Sequence, residues 1–161
     1  MSIADVVKKA VKSKAAIFEI TGGEPLLQPG FTELARKLRT ETRKPVLVET
    51  NGSLNISAIP DGVIAIMDVK CPGSGESAAM DLKNIKRLRP DDEVKFVLSD
   101  LRDYDWAKRF VAKHDLASRC KAVLFSPVSG VLDAKKLCEW IVRDRLPVRF
   151  QIQLHKTLGA K

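Results

Sequence analysis

Apolar and polar positions along this chain switch between a helical period and short strand-like runs. Over residues 2–12, Ile3, Val6, Val7, Ala10 and Val11 fall on one face of a 3.6-residue helix. Residues 15–20 form a compact apolar run that ends in Thr21-Gly22-Gly23 and reads as a strand. A helix follows over 31–40, where Leu34, Ala35 and Leu38 share a face. Strands are predicted over 45–49, stopped by Asn51-Gly52, and over 63–69, stopped by Cys71-Pro72-Gly73. The pattern continues with a helix over 77–88, ended by Pro90, and a strand over 93–98. A helix over 104–114 brings Trp106, Phe110 and Val111 together. A strand over 122–125 runs into Ser126-Pro127. A helix over 133–143, capped at Asp133 or a neighbour, and a strand over 148–154 complete the series.

The order is one helix, then strand and helix in alternation, so the fold class is α/β. Strands rich in Val and Ile and separated by helices predict parallel pairing through right-handed crossovers. Their near-continuous apolar character predicts burial on both faces of the sheet. Six such strands fit either an open doubly wound sheet or an incomplete barrel. No linker or low-complexity segment interrupts them, so 1–161 is read as a single domain. In both architectures ligands bind at the C-terminal edge of the strands. The Gly, Asn, Asp and Pro residues cluster there, and five loops, 21–25, 49–53, 68–74, 99–103 and 126–130, are expected to meet in one cleft.

Composition narrows the partners. The formal charge is +8, spread over helix-like stretches such as Lys8-Lys9, 83–89 and Lys135-Lys136, with no basic block interleaved with aromatics. A small anionic ligand fits that scatter better than nucleic acid does. No apolar run approaches the roughly 18 residues of a membrane span. The first residues lack the basic-then-apolar order of a secretory signal, so a cytoplasmic location without membrane contact is expected. The three cysteines, Cys71, Cys120 and Cys138, are far apart and form no C-x-x-C. That spacing argues against a disulfide framework and a short-spaced zinc or cluster motif, and leaves three small core hydrophobes.

The sharpest candidate chemistry is Thr21-Gly22-Gly23-Glu24-Pro25. Two glycines allow a ligand to approach the backbone, while a strand-end carbonyl and the Glu24 carboxylate can accept from an ammonium group. The alternative is a plain Gly-Gly turn with an exposed glutamate. Glu49-Thr50-Asn51-Gly52-Ser53 offers a carboxylate and polar groups suited to ribose hydroxyls or a substrate, or is only an Asn-Gly turn. Asp68 and Lys70, two apart on a strand end, share a face and form either an ion pair or a ligand site. Ser126-Pro127-Val128 presents a hydroxyl and backbone groups at another strand end. Gln151, Gln153 and His155 would share one strand face, as a polar pocket or a subunit contact.

Taken in order, "TGGEPLLQ", "VETNGS", "IMDVKCPGSG", "DEVKFVLSD", "DYDWA", "LFSPVSG" and "QIQLHK" resemble the 7-carboxy-7-deazaguanine synthase family, radical SAM enzymes of queuosine and deazapurine biosynthesis. The resemblance runs from about Ile17 to Lys156. It implies a partial, incomplete TIM-like barrel and the conversion of 6-carboxy-5,6,7,8-tetrahydropterin to 7-carboxy-7-deazaguanine with loss of ammonia. It implies S-adenosylmethionine, a [4Fe-4S] cluster and Mg2+ as cofactors, a homodimer, and a flavodoxin-type reductant. By the same resemblance, Gly22, Gly23 and Glu24 bind the methionine end of S-adenosylmethionine. Asp68, Val69 and Lys70, then Ser126, Pro127 and Val128, match two further cofactor segments, with Asn51 beside them. Thr21, Glu49 and His155 are the substrate candidates.

The sequence departs from the family in one respect. The family holds its cluster on three closely spaced cysteines in a loop after its first strand, with a threonine just after them contributing to the Mg2+ site. This chain is expected to start beyond that loop, without the family's first strand, and to be inactive alone. Its own cysteines do not replace the motif by spacing, and no other side chain supplies that redox chemistry. Three other readings remain at this point: an organic-radical-activating enzyme acting on a glycyl-radical protein, a cluster-free S-adenosylmethionine-binding scaffold, and a stable core with no ligand.

Overall fold

Six parallel strands pair in the order in which the chain makes them: β1 (Phe18–Ile20), β2 (Val46–Thr50), β3 (Ile64–Val69), β4 (Glu93–Leu98), β5 (Ala122–Pro127) and β6 (Arg149–Phe150). This is a computed structural model, and it describes residues 1–152. A doubly wound sheet needs the strand order to reverse. Here it never does, so successive right-handed crossovers place their helices on the same side. The choice left open by the sequence is thereby made in favour of the partial barrel.

The helices are α1 (Ile3–Lys12), α2 (Phe31–Thr42), α3 (Asn84–Arg87), α4 (Leu101–Lys113), α5 (Leu116–Arg119) and α6 (Ala134–Arg143). Local chemistry sets their starts. Ser2 and Asp5 form a reciprocal capping box on α1. Asp100 accepts from the Asp103 N–H, so α4 begins at Leu101, three residues before the apolar pattern predicts. Asp133 caps α6 by accepting from Lys135 and Lys136. The helix expected over 77–88 is only a 3-10 turn at Ser77–Ala79 and the single turn α3. Asp81 prevents it: its N–H donates to the Gly52 carbonyl and its carboxylate accepts from the Lys83 N–H, which competes with helical bonding. The strand expected over 15–20 is confined to Phe18–Ile20. Of the strand expected over 148–154, Arg149–Phe150 is formed, and Gln153 and Leu154 lie outside the described residues.

The register sorts the strand residues into two unlike faces. Val46, Val48, Ala65, Met67, Val69, Val94, Phe96, Leu98, Val123 and Phe125 form one face, which is buried under Ala35 and Leu38 of α2, Tyr104, Ala107 and Phe110 of α4, and Leu137 and Trp140 of α6. Phe96 stands at its centre, edge-on to Trp106, Phe110 and Phe125. The other face carries Glu19, Glu49, Asp68, Glu93, Lys95 and Arg149 around Ile66 and Leu124. Burial on both faces holds for β5, whose six residues are all buried, while the inner face of β2, β3 and β4 is largely half-buried. One face is an apolar core, and the other is the polar inner wall of the barrel.

Candidate functional site

The C-terminal edge begins with the turn after β1. Gly22 and Gly23 have φ of +100° and +55°, conformations that strain any residue with a Cβ. A Cβ on either would meet nothing within 4 Å, so this backbone borders open space. Glu24, by contrast, is buried. Its Oε1 accepts from the Leu26 N–H at 3.1 Å and the Thr50 hydroxyl at 2.9 Å, and its Oε2 from the Asn51 N–H at 2.7 Å. The carboxylate thus ties the first edge loop to the second. The sequence reading had it accepting from a ligand ammonium; in the structure three protein donors already bind it, two on Oε1 and one on Oε2.

Deeper on the inner wall, Glu49 links three strands. Its Oε2 accepts from the Thr21 hydroxyl at 3.2 Å and its Oε1 from Lys95 Nζ at 2.7 Å. Glu19 lies nearby, and its carboxyl is raised above the ordinary range by burial and by the Glu49 charge, against the opposing pull of Lys95. Thr21 and Glu49 were expected here. Lys95 and Glu19 were not, although each is a charged residue flanked by apolar neighbours on its strand, Val94 and Phe96 for one and Phe18 and Ile20 for the other. That alternation is the signal that would have found them.

Further along the edge, a cleft of about 280 Å³ opens between Asp68, Lys70, Ser74, Ser99 and Val128. Lys70 Nζ donates to Asp68 Oδ2 at 2.7 Å, the same-face pairing that the spacing predicts. Asp68 Oδ1 is buried and has no hydrogen-bond partner among the described residues, and the Ser126 hydroxyl is in the same state. A buried polar atom left this way costs about 1–3 kcal/mol, so both are places where a ligand's donors would be stabilising. Asp103 fixes the cleft wall by accepting from the Gly73 N–H, the Ser99 N–H and the Ser99 hydroxyl. The Val128 N–H donates to the Leu98 carbonyl and holds the loop after Pro127 against β4. Asn51 faces the Glu24 side of the edge, and its side-chain carbonyl accepts from the Ser53 N–H. His155 lies outside the described residues.

The cysteines are not gathered at this edge. Cys71 is buried, and its thiol is pushed far up by burial and then by Asp103 and Asp68. Cys120 is buried beside the Leu116 and Ala122 carbonyls and is raised by burial, and Cys138 is exposed on α6. Among the described residues no group of three His, Cys, Asp or Glu could hold a metal ion. Nor is any of their helices long and apolar enough to cross a membrane.

Comparison with known proteins gives one consistent result. The 7-carboxy-7-deazaguanine synthase of Koribacter versatilis is 37% identical over 152 residues, which cover 87% of this chain and 67% of that protein. The synthase of Chlorobaculum tepidum is 38% identical over 159 residues, 97% of this chain and 71% of its own length. That of Methanospirillum hungatei is 37% identical over 160 residues, 99% of this chain and 65% of its own. The chain thus spans about two thirds of the length of these relatives. No protein-family model and no solved structure matches it.

Proposed function

The chain belongs to the 7-carboxy-7-deazaguanine synthase family, and from that premise we propose that its strand edge is the S-adenosylmethionine-binding part of such an enzyme. The reaction it would serve is the radical conversion of 6-carboxy-5,6,7,8-tetrahydropterin to 7-carboxy-7-deazaguanine with loss of ammonia. The observation that carries the reading is the coincidence, at one edge, of the open Gly22-Gly23 backbone with two buried acceptors that have no partner among the described residues, Asp68 Oδ1 and Ser126 Oγ. S-Adenosylmethionine presents an ammonium group, a carboxylate and ribose hydroxyls. The Gly22-Gly23 backbone suits the first two, because it can be approached without a side chain intervening. Asp68 and Ser126 suit hydroxyl donors, and Lys70 offers a cation to a carboxylate. Glu24 and Asn51 hold the loop through the Asn51 N–H, and Glu24 Oε2, which accepts only that bond among the described residues, is a further acceptor for the ammonium. The inner wall, with Thr21, Glu49 and Lys95, suits the polar pterin ring.

When bound, S-adenosylmethionine supplies a 5′-deoxyadenosyl radical once an electron reaches its sulfonium. The family delivers that electron through a [4Fe-4S] cluster, and the residues present do not fit one. Two of the three thiols are buried with raised pKa, the third lies on the outer face of α6, and none is near another cysteine in sequence. For Mg2+, no group of three His, Cys, Asp or Glu stands together among the described residues. These 161 residues are therefore proposed to grip the cofactor without cleaving it. A homodimer, a flavodoxin-type reductant and a cytoplasmic setting belong to the same family reading.

Calorimetric titration of S-adenosylmethionine into this chain tests the proposal. Saturable heat is expected, weakened about tenfold or more by Gly23→Val, which introduces a β-branched side chain at positive φ, and by Asp68→Ala. Anaerobic incubation with dithionite is expected to release no 5′-deoxyadenosine. An absence of heat with the unmodified chain would overturn the cofactor reading.

A further inference from the structure

We propose that Asn84, on the β3–β4 crossover, is a positioning residue that sets the shape of the cofactor-binding edge from behind. The inference rests on the cofactor reading above and assigns to that site a residue outside it.

Asn84 is fully buried, which is unusual for an amide side chain. Its Nδ2 donates to the Gly52 carbonyl at 3.0 Å and the Leu54 carbonyl at 2.7 Å. Its Oδ1 accepts from the Ile56 N–H at 3.2 Å and from Arg87 Nη1 at 2.8 Å. Both donors and both acceptor positions of the carboxamide are thus in use. Three of its four partners are backbone groups of one irregular segment, residues 52–56, which leads away from β2. A second bond supports the same point, since the Asp81 N–H also donates to the Gly52 carbonyl. Arg87 closes the arrangement by pairing with Asp81 Oδ2 at 2.6 Å.

The fixed segment is continuous with the site. The Gly52 N–H donates to the Thr50 hydroxyl, which donates in turn to Glu24, and the neighbouring Asn51 N–H donates to the other Glu24 oxygen. Glu24 ends the Gly22-Gly23 turn and starts the 3-10 turn Pro25–Leu27. A contiguous set of hydrogen bonds therefore runs from Asn84 through Gly52 to the backbone proposed to receive the methionine end of the cofactor. The chemistry at position 84 is specific. Aspartate has nearly the same shape, but it would set acceptor oxygens against the two carbonyls that Asn84 now serves as donor. Leucine would take away the side-chain partner of the Leu54 carbonyl and of the Ile56 N–H, and would leave the Gly52 carbonyl only its bond from Asp81.

The experiment compares S-adenosylmethionine affinity, thermal unfolding and amide hydrogen exchange in the unmodified chain, Asn84→Asp and Asp144→Asn. Asp144 joins α4 to α6 and takes no part in the strand-edge loops, so its variant reports what a loss of stability alone does to binding. Asn84→Asp is expected to bind about tenfold more weakly, with protection lost at the Asn51 and Gly52 amides but kept along β4. Asp144→Asn is expected to keep its affinity. Binding by Asn84→Asp within about twofold of the unmodified chain, or an equal loss in Asp144→Asn, would overturn the inference and leave the cofactor reading standing. If Asn84→Asp does not fold, Arg87→Ala removes one bond to Asn84 and one to Asp81 from a partly exposed position. A fall of about threefold is expected there, and no fall overturns the inference. No heat with the unmodified chain overturns the cofactor reading first, and this inference with it.

Discussion

Lys95 and Phe96 are consecutive on β4 and stand in different media. Phe96 points into the layer between sheet and helices, fully buried and edge-on to three aromatic rings. Lys95 points to the inner wall and is held by the Glu49 carboxylate. The same contrast repeats along the sheet, with Val69 beside Asp68 and Phe125 beside Ser126. One face is organised for burial, where apolar area removed from water is the main stabilising term. The other retains charges and two buried acceptors with no partner among the described residues, which burial alone would not favour. A sheet with one face given to stability and one left polar is what a barrel needs if a ligand is to sit at its mouth.

The largest test of this contrast is a pair of substitutions on that one strand. Phe96→Ala is expected to cost about 3–5 kcal/mol in chemical denaturation, because it opens a cavity among three rings. Lys95→Met is expected to cost about 1 kcal/mol, the scale of a partly exposed ion pair. Similar costs at the two positions would break the distinction between the faces.

Titration gives a smaller test with opposite signs. On the helical side, Asp144 accepts from Arg143, Lys108 and the Tyr104 hydroxyl, and these partners hold its carboxyl well below the ordinary range. A depressed folded pKa means that its contribution is present above the ordinary value of 3.8 and is lost as pH falls below it. Asp144→Asn should therefore lower Tm at neutral pH and flatten the fall in Tm on acidification. Glu19, on the inner wall, is shifted the other way, chiefly by burial. Its unfolded form ionises first as pH rises past 4.5, so it lowers stability from there through its raised folded value. Glu19→Gln should give a slightly higher Tm at pH 7 and little change under acid. Melting curves across pH 2–8 check both, and a lower Tm for Glu19→Gln at pH 7 would show that the carboxylate is stabilised where it stands.

Much of this was legible in the residues. The strand over 93–98 has the expected bounds, and Asp133 caps its helix, because both depend on local pattern and on a side chain reaching its own backbone. The Asp68–Lys70 pair follows from the two-residue period of a strand. The helix expected over 77–88 failed because Asp81 and Asn84 make bonds to the distant segment 52–56, and periodicity carries no information about such partners. The bonds from Thr50 and Asn51 to Glu24 were not legible for a related reason: these residues are close only after β1 and β2 pair.

The sequence by itself determined the alternation of strands and helices, the loops that could carry ligand chemistry, and the family to which their order belongs. These rest on local periodicity, turn chemistry and motif order. Only the tertiary structure decided the strand order, and with it which face of the sheet is core and which is polar wall. It also showed that Glu24 is a tie between loops, that Asp68 and Ser126 each keep an acceptor without a partner among the described residues, and that Asn84 bonds to the Gly52 carbonyl. The physical reason is that satisfaction of a buried polar group depends on residues about 26 to 32 positions away in the chain, and no local pattern specifies those.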